Sequence, residues 1–353
     1  MDNVFVRIKK VFDLLEDEIS KEVFNARLQY VINKDDTALF NWFIQQDKDK
    51  LFCPELDLYE RVNLYDKGYI IFGAGREGRR AKKTLQACGK SIIAYADNNK
   101  AIQGMQMDGL PILSVSELIN NYRQYAILIT PYKQMWEVYQ QLLAIEFPRE
   151  KIIIPKNEYF NGCIGIQYFD LFKSSQNEIF IDAGCWNGNT VKDFVRWCNG
   201  EYVRIYAFEL DEVCWETCER TFKENKIKSI DFVRKGTWSH SNNVGFYGFG
   251  GGNSTIIEDS KLTNNAEVIS IDEVLDGGPV TYIKMDVEGS ELETLKGAKE
   301  SIVKYKPKLA VSVYHKPSDL WELAEYIITL RSDYKFYLRH YSSRMWETIL
   351  YAI

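Results

Sequence analysis

Two short stretches constrain this chain more than anything else in it. "YIIFGAGREGRR" starts at Tyr69 and "IFIDAGCWNGNT" at Ile179, and each is an apolar run that breaks into glycines and then opens a helical pattern. Apolar runs with little polar alternation describe strands buried on both faces, the habit of parallel sheets covered by helices. The sequence therefore asks for α/β layering in two places. At 353 residues, two or three domains of the usual ~100–200 residues are expected.

Residues 1–67 read as a helical N-terminal segment. Val4, Ile8, Val11, Phe12, Leu15 and Ile19 recur at helical spacing, as do Val23, Phe24, Leu28 and Val31. Such stripes are core faces, so this segment is expected to be a helical cap or a contact in a homo-oligomer, without chemistry. Residues 68–160 alternate strand and helix, giving a Rossmann-like domain of nucleotide-binding type: "GYIIFGAG", "REGRRAKKTLQACG", "SIIAYADNN", then "LPILSVSELI", "YAILITP" and "KIIIP". Residues 161–353 alternate again through "RIYAFEL", "EVCWETCERTFKEN", "DFVRKGTW", "TYIKMD", "SELETLKGAKESIVKY" and "KLAVSVYH". Two last strands, "KFYLRHYS" and "ETILYAI", suit an antiparallel hairpin at the sheet edge. The stretch "VGFYGFGGGNSTI" interrupts this alternation with too many glycines for a regular element.

Composition narrows the function classes. With 46% apolar and 27% charged residues the chain is an ordinary globular one. No apolar run approaches the ~20 residues of a membrane span, and acids interrupt the N-terminus where a signal peptide would be apolar, so a cytoplasmic protein is expected. A net charge of -6 and the lack of a basic stripe argue against a nucleic-acid partner. Seven cysteines are scattered without a C-x-x-C pair, which reads as reduced, buried thiols rather than a metal site.

The first glycine run, Gly73, Gly75 and Gly78, matches G-x-G-x-x-G, and Asp97 ends the next strand at the offset of an acid that grips a ribose. This is a candidate second nucleotide site, open between a nucleotide, a nucleotide-sugar, NAD(P) and a purely structural module. The second run differs because Asp182 ends its strand, where negative charge disfavours a pyrophosphate and suits an ammonium or sulfonium. Gly184 and Gly188 permit the turn, while Asn187 and Asn189 tolerate unusual backbone angles or cap the helix that follows. Glu209 ends the next strand in "YAFEL", placed to accept both hydroxyls of a ribose. These features together point to S-adenosylmethionine.

At these residues the sequence resembles the FkbM-type family of class I S-adenosylmethionine-dependent methyltransferases. "FIDAGCWNGNT", "AFELDE", "VISIDEVL", "YIKMDVEGSELETLKGA", "SVYHKPSDLWEL" and "ETILYA" fall in that family's order across residues 161–353. The resemblance implies a seven-strand sheet and methyl transfer to oxygen, commonly of a sugar or natural-product hydroxyl. The middle segment resembles Rossmann-like modules found beside enzymes of polysaccharide biosynthesis. The fold expected is thus α/β, two Rossmann-like domains preceded by a helical segment. Carried over by motif position are Asp182, Gly184 and Gly188 for the methionine part and Glu209 for the ribose. Gly236, Thr237 and Trp238 fall where adenine packs. Trp186 departs from the small or polar residue expected in that loop.

Asp286 and His315 end successive strands and Glu288 follows in the turn, so all three are expected on the rim that holds Asp182 and Glu209. An alcohol acceptor calls for a general base, and His315 is the first candidate, ahead of His340. Asp286 takes the proton, orients His315, or joins Glu288 and His315 around a divalent cation; these alternatives stay open. The bland readings are that Glu288 and Glu291 cap the helix starting at Ser290, and that His315 is a satisfied core residue. Phe246, Tyr247 and Phe249 in the glycine-rich stretch offer rings to a sugar as a lid, or belong to a surface hairpin. Two other functions compete with methyl transfer: an NAD(P)-dependent oxidoreductase using Gly73–Gly78, and a non-catalytic metabolite-binding protein.

Overall fold

Helices α1 (Val4–Asp13) and α2 (Glu18–Asn33) form where apolar residues recur at helical spacing. Each begins on a side-chain cap: Asn3 Oδ1 accepts from Phe5 N at 3.0 Å, and Asp17 Oδ1 from Ser20 N at 2.8 Å. The computed structural model describes residues 3–46, 67–87, 89–131, 134–154, 166–247, 255–257, 265–342 and 345–353. It divides into two units, one of Met1–Ala38, Ile166–His340 and Met345–Ile353, the other of Leu39–Gly165 and Tyr341–Arg344.

The second unit takes in most of helix α3 (Thr37–Gln46) and a six-stranded sheet. Its strands are β1 (Tyr69–Phe72), β2 (Ile92–Ala96), β3 (Gln106–Met107), β4 (Leu110–Leu113), β5 (Ala126–Ile129) and β6 (Ile152–Ile153), in the order β3-β4-β2-β1-β5-β6. All neighbours pair parallel except β3 with β4. β1 and β5 are wholly buried, as their unbroken apolar runs require.

The other unit carries the longer sheet. Its strands β7 (Glu178–Ala183), β8 (Tyr202–Phe208) and β9 (Ile230–Val233) are followed by a small sheet of β10 (Gly236–Thr237), β11 (Asn242–Tyr247), β12 (Thr255–Ile257) and β13 (Asn265–Ile269), ordered β10-β13-β11-β12. The chain then returns through β14 (Tyr282–Met285), β15 (Lys308–Ser312), β16 (Phe336–His340) and β17 (Thr348–Ala352). The seven-stranded order is β16-β17-β15-β14-β7-β8-β9, parallel except that β17 runs antiparallel to both its neighbours. Two readings are corrected here. "DFVRKGTW" is not one strand, because the chain leaves the large sheet after Val233 and Gly236–Thr237 joins the small one. The glycine-rich interruption begins and ends in paired strands, β11 and β12; residues 248–254, with Phe249, lie outside the described residues.

Helices α1 and α2 fall within this unit. Val23 and Phe24 of α2 are buried, and Ser20 Oγ accepts from Leu338 N at 2.9 Å on the edge strand β16. Glu16 N donates to Phe336 O at 3.0 Å and Arg339 Nη2 pairs with Asp17 at 2.7 Å. The two helices thus cover an edge that would otherwise present unpaired backbone groups. Asp17→Ala should cost about 1–2 kcal/mol at neutral pH, measured by urea unfolding, since it removes a cap and an ion pair together. Burial pushes the Asp17 carboxyl up, but Arg339 and Ser20 hold it down at about 2. Its contribution is therefore present above its usual 3.8 and is lost as pH falls through about 2, so the gap between wild type and variant should close on acidification.

Candidate functional site

β15, β14, β7 and β8 lie side by side and parallel, so their carboxyl ends share one edge of the sheet. From β7 the chain moves outward to β8 and β9, then returns to the other side of β7 with β14. That switch between β7 and β14 opens a crevice, where open parallel sheets hold ligands. A cleft lies there, with Gly184, Trp186, Phe208, Glu209, Leu210, Cys214, Gly236 and Thr237 along one part. Asp286, Val287, Glu288 and Ser290 line the rest.

Gly184 is the tightest point. Its φ is +82°, and a Cβ there would stand 2.0 Å from the Asp286 carbonyl oxygen, so no side chain fits between the two strand ends. Trp186 follows with φ 48° and donates its N–H to Glu209 Oε2 at 2.7 Å. Asp211 N donates to Glu209 Oε1 at 2.8 Å. Burial pushes the Glu209 carboxyl up to about 7 against those two amides, which favour its charge. Each carboxylate oxygen keeps a lone pair for a further donor.

Asp182 stands elsewhere than in the cleft lining. It is fully buried opposite Lys284 in the β7–β14 register, with Nζ to Oδ1 at 2.9 Å. Lys284 Nζ also donates to Gly184 O at 2.6 Å. Burial pushes Asp182 up, outweighing Lys284, while Lys284 is itself raised, against burial, by Asp182 and Asp286. The charge that the sequence offered to a sulfonium is thus met inside the protein. Asn187, Gly188 and Trp238 also lie off the cleft lining: Asn187 Oδ1 caps Asn189 N at 3.1 Å, Gly188 begins the helix Asn189–Trp197, and Trp238 packs with Val244 and Val268.

Four ionisable groups converge at the other part. His315 Nδ1 lies 2.8 Å from Glu291 Oε1, and Nε2 lies 3.4 Å from Glu288 Oε2 and 3.6 Å from Asp286 Oδ1. Burial alone would push His315 down, but Glu291, Asp286 and Glu288 raise it to about 9. At neutral pH the ring is an imidazolium and is no proton acceptor. Asp286 is pushed up by burial but held below the usual range by Lys284, His315 and Tyr168. The Tyr168 and Tyr314 hydroxyls donate to it at 2.9 and 3.0 Å. Glu288 is raised: burial pushes it up to about 7, more than His315 pulls it down. A carboxyl that titrates near neutrality in a cleft is suited to accept a proton.

Sequence reasoning missed Lys284, Tyr168 and Tyr314. A lone lysine inside the apolar "TYIKMD", against a lone aspartate inside "IFIDAG", was a legible signal of pairing; Tyr168 gave none. Glu291 turns out to do two jobs, since Oε1 accepts Val287 N at 3.1 Å and Gly289 N at 3.4 Å besides facing His315. The donors that lie within 4.8 Å of one another are those of Asp286, Glu291 and His315, with Glu291 in the place that the sequence gave to Glu288. His340 is buried at the far end of β16, its Nδ1 2.9 Å from Thr348 Oγ1. Cys185, Cys198, Cys214 and Cys218 are buried free thiols.

In the other unit the three glycines play separate parts. A Cβ at Gly78 would stand 1.9 Å from Gly73 O, so helix and strand touch backbone to backbone, whereas at Gly75 it would meet nothing within 4 Å. Asp97 Oδ2 accepts from Ala74 N at 2.8 Å and Oδ1 from Asn99 N at 2.9 Å, so the acid ties the glycine loop to its own loop. No described helix is long and apolar enough to cross a membrane.

Residues 186–338 match the family model of the methyltransferase FkbM domain, and residues 65–153 that of the C2185-like N-terminal domain. No curated protein matches the chain. Among solved structures, methyltransferase FkbM from Methylobacillus flagellatus KT is 20% identical, with 94% of this chain and 99% of that one covered and a TM-score of 0.48. An rRNA methylase from Streptococcus thermophilus is 15% identical over 50% of this chain and 86% of that one, with a TM-score of 0.34. Fibrillarin from Aeropyrum pernix, with natively bound S-adenosyl-L-methionine, is 11% identical over 51% and 67%, with a TM-score of 0.32.

Proposed function

We propose that this chain, whose residues 186–338 match the methyltransferase FkbM domain, is an S-adenosylmethionine-dependent methyltransferase and that its acceptor is a hydroxyl of a sugar or nucleotide-linked sugar. The observation that carries this reading is one cleft lined both by Glu209 and by Glu288, a carboxyl raised to about 7. The Gly184 loop, Glu209, Gly236 and Thr237 are fit to hold S-adenosylmethionine. Gly184 has no room for a side chain, and Glu209 ends a strand with acceptor capacity beyond its two amide bonds. When bound, that group supplies a methyl carbon activated by a sulfonium.

The chain's own residues do the rest. Glu209 would receive the ribose hydroxyls, and Glu288 takes the proton of the acceptor's hydroxyl. His315 stays protonated, supplying the positive charge that balances Asp286 and Glu291, so no step is assigned to a divalent cation. Closeness and alignment supply much of the acceleration in such a displacement.

Isothermal titration with S-adenosylhomocysteine tests the reading. One saturable site is expected, weakened at least about tenfold in Glu209→Gln, whose amide would turn a donor toward the N–H of Trp186 or Asp211. A wild-type protein that does not bind it would overturn the proposal. Release of S-adenosylhomocysteine from S-adenosylmethionine with a panel of sugars and nucleotide-sugars then identifies the acceptor.

A further inference from the structure

Arg27 is among the largest fully buried side chains of the described structure, 2% exposed in the middle of α2. Among the described residues no carboxylate lies within ion-pair distance of it. Its guanidinium instead grips two main-chain carbonyls far away in sequence: Nη2 donates to Tyr314 O at 2.9 Å, and Nη1 to Met345 O. The Tyr30 ring, with its centroid 4.8 Å from the guanidinium carbon, covers one side. Burial pulls the guanidinium down to about 10, so holding a charge here costs stability that an apolar side chain of similar volume would not.

The two carbonyls show what that cost maintains. Tyr314 lies in the segment leaving β15, and Met345 in the segment entering β17, and the two are laced together by Val313 N donating to Thr348 O at 2.9 Å. The segment leaving β15 bears the reacting end of the cleft. Tyr314 donates its hydroxyl to Asp286 at 3.0 Å, its ring centroid lies 4.2 Å from that of His315, and His315 is the next residue. A guanidinium suits this task because its planar, fixed donors can hold two carbonyls at once, which a lysine cannot do in the same geometry.

We infer that Arg27 is a positioning residue: through the Tyr314 carbonyl it sets where His315 and the Tyr314 hydroxyl stand against Asp286, Glu288 and Glu291. α2 is then part of the catalytic apparatus, although it lies outside the segment that matches the methyltransferase model. The inference rests on the reading of the cleft given above, yet its test does not need the acceptor.

The test is the titration of His315 by NMR in the full chain, tractable because the sequence has three histidines and His315→Gln identifies the signal. The charges set around that ring are Glu291, Asp286 and Glu288, with Asp319 at the head of the following helix and Lys316 beside it. Removing the positive Arg27 would by electrostatics alone raise the His315 midpoint. Loosening the segment would instead lower it, because the ring would drift from its carboxylates. Arg27→Met is expected to lower the midpoint by about one pH unit or more. An unchanged or raised midpoint in Arg27→Met would overturn the inference. Should that variant not fold, Arg27→Lys decides: it keeps the charge and loses the two-carbonyl grip, so a midpoint equal to wild type overturns the inference and a lowered one supports it. Titration of each protein with S-adenosylhomocysteine keeps the two claims apart. Wild type failing to bind it sinks the methyl-transfer reading, whatever His315 does.

Discussion

Glu288→Gln is expected to lower turnover by about 10²–10⁴-fold while S-adenosylhomocysteine binding and the urea midpoint stay near wild type. The expectation follows from which group beside His315 can receive a proton at neutral pH. His315 is already protonated, its midpoint raised to about 9 by Glu291, Asp286 and Glu288 in spite of burial. Asp286 is held low by Lys284 and is hydrogen-bonded by two tyrosines, so it is a weak base. Glu288 is raised by burial to about 7. It works when deprotonated, so kcat/KM should climb as pH passes about 7 and fall as the imidazolium is lost near 9. The limbs belong to the coupled cluster rather than to single residues. In Glu288→Gln the lower limb should vanish and the upper one remain. A variant with wild-type turnover and an intact lower limb would remove Glu288 from the mechanism. The same His315 shift has a sign for stability: its contribution is complete below the unfolded value of 6.5 and is lost as pH rises through about 9.

Lys284→Met is expected to cost about 3–5 kcal/mol of folding stability, the largest single loss foreseen here. Lys284 and Asp182 are both buried and 2.9 Å apart, and removing the lysine leaves the Asp182 carboxylate without its cation in a sheet interior. The double change Lys284→Met with Asp182→Leu should recover most of that loss, because apolar residues of similar size replace a buried pair at little or no cost. Urea unfolding of the two single variants and the double gives the coupling energy directly. S-adenosylhomocysteine binding by the double variant then tests what Asp182 does for the cofactor. Since Asp182 does not line the cleft, the affinity lost should be smaller than in Glu209→Gln. An equal or larger loss would place the carboxylate at the ligand, as its motif position suggests.

What could be read from residues in order was whatever short-range chemistry dictates. The runs at Tyr69 and Ile179 become β1 and β7, each buried, because no other element hides four or more apolar residues in succession so cheaply. Ser114 with Glu117, and Ser270 with Glu273, form reciprocal caps that start two helices, a pattern set by residues three apart. The alternation of strand and helix made Asp182, Glu209, Asp286 and His315 share one sheet edge, as carboxyl ends of parallel strands must. Where the reading slipped, at "DFVRKGTW" and the glycine-rich stretch, the cause was sheet membership. Strand propensity does not say which sheet a strand joins.

Which residues would be charged was not legible at all, because that depends on neighbours separated by long reaches of chain. Asp182 looked like a free anion until the fold placed Lys284 opposite it in the β7–β14 register. His315 looked like a base until three carboxylates closed on it, and Glu288, read as a rim acid beside Asp286 or as a helix cap, was raised by burial into the working range. The order of residues did not single out Arg27, and only packing set it against the Tyr314 carbonyl, 287 residues away. The sequence determined the layers, the turns and the edge where chemistry gathers, since these follow from local propensity and periodicity. The tertiary structure decided the protonation and the partners of every group on that edge, since desolvation and Coulomb energies depend on distances that exist only once the chain has folded.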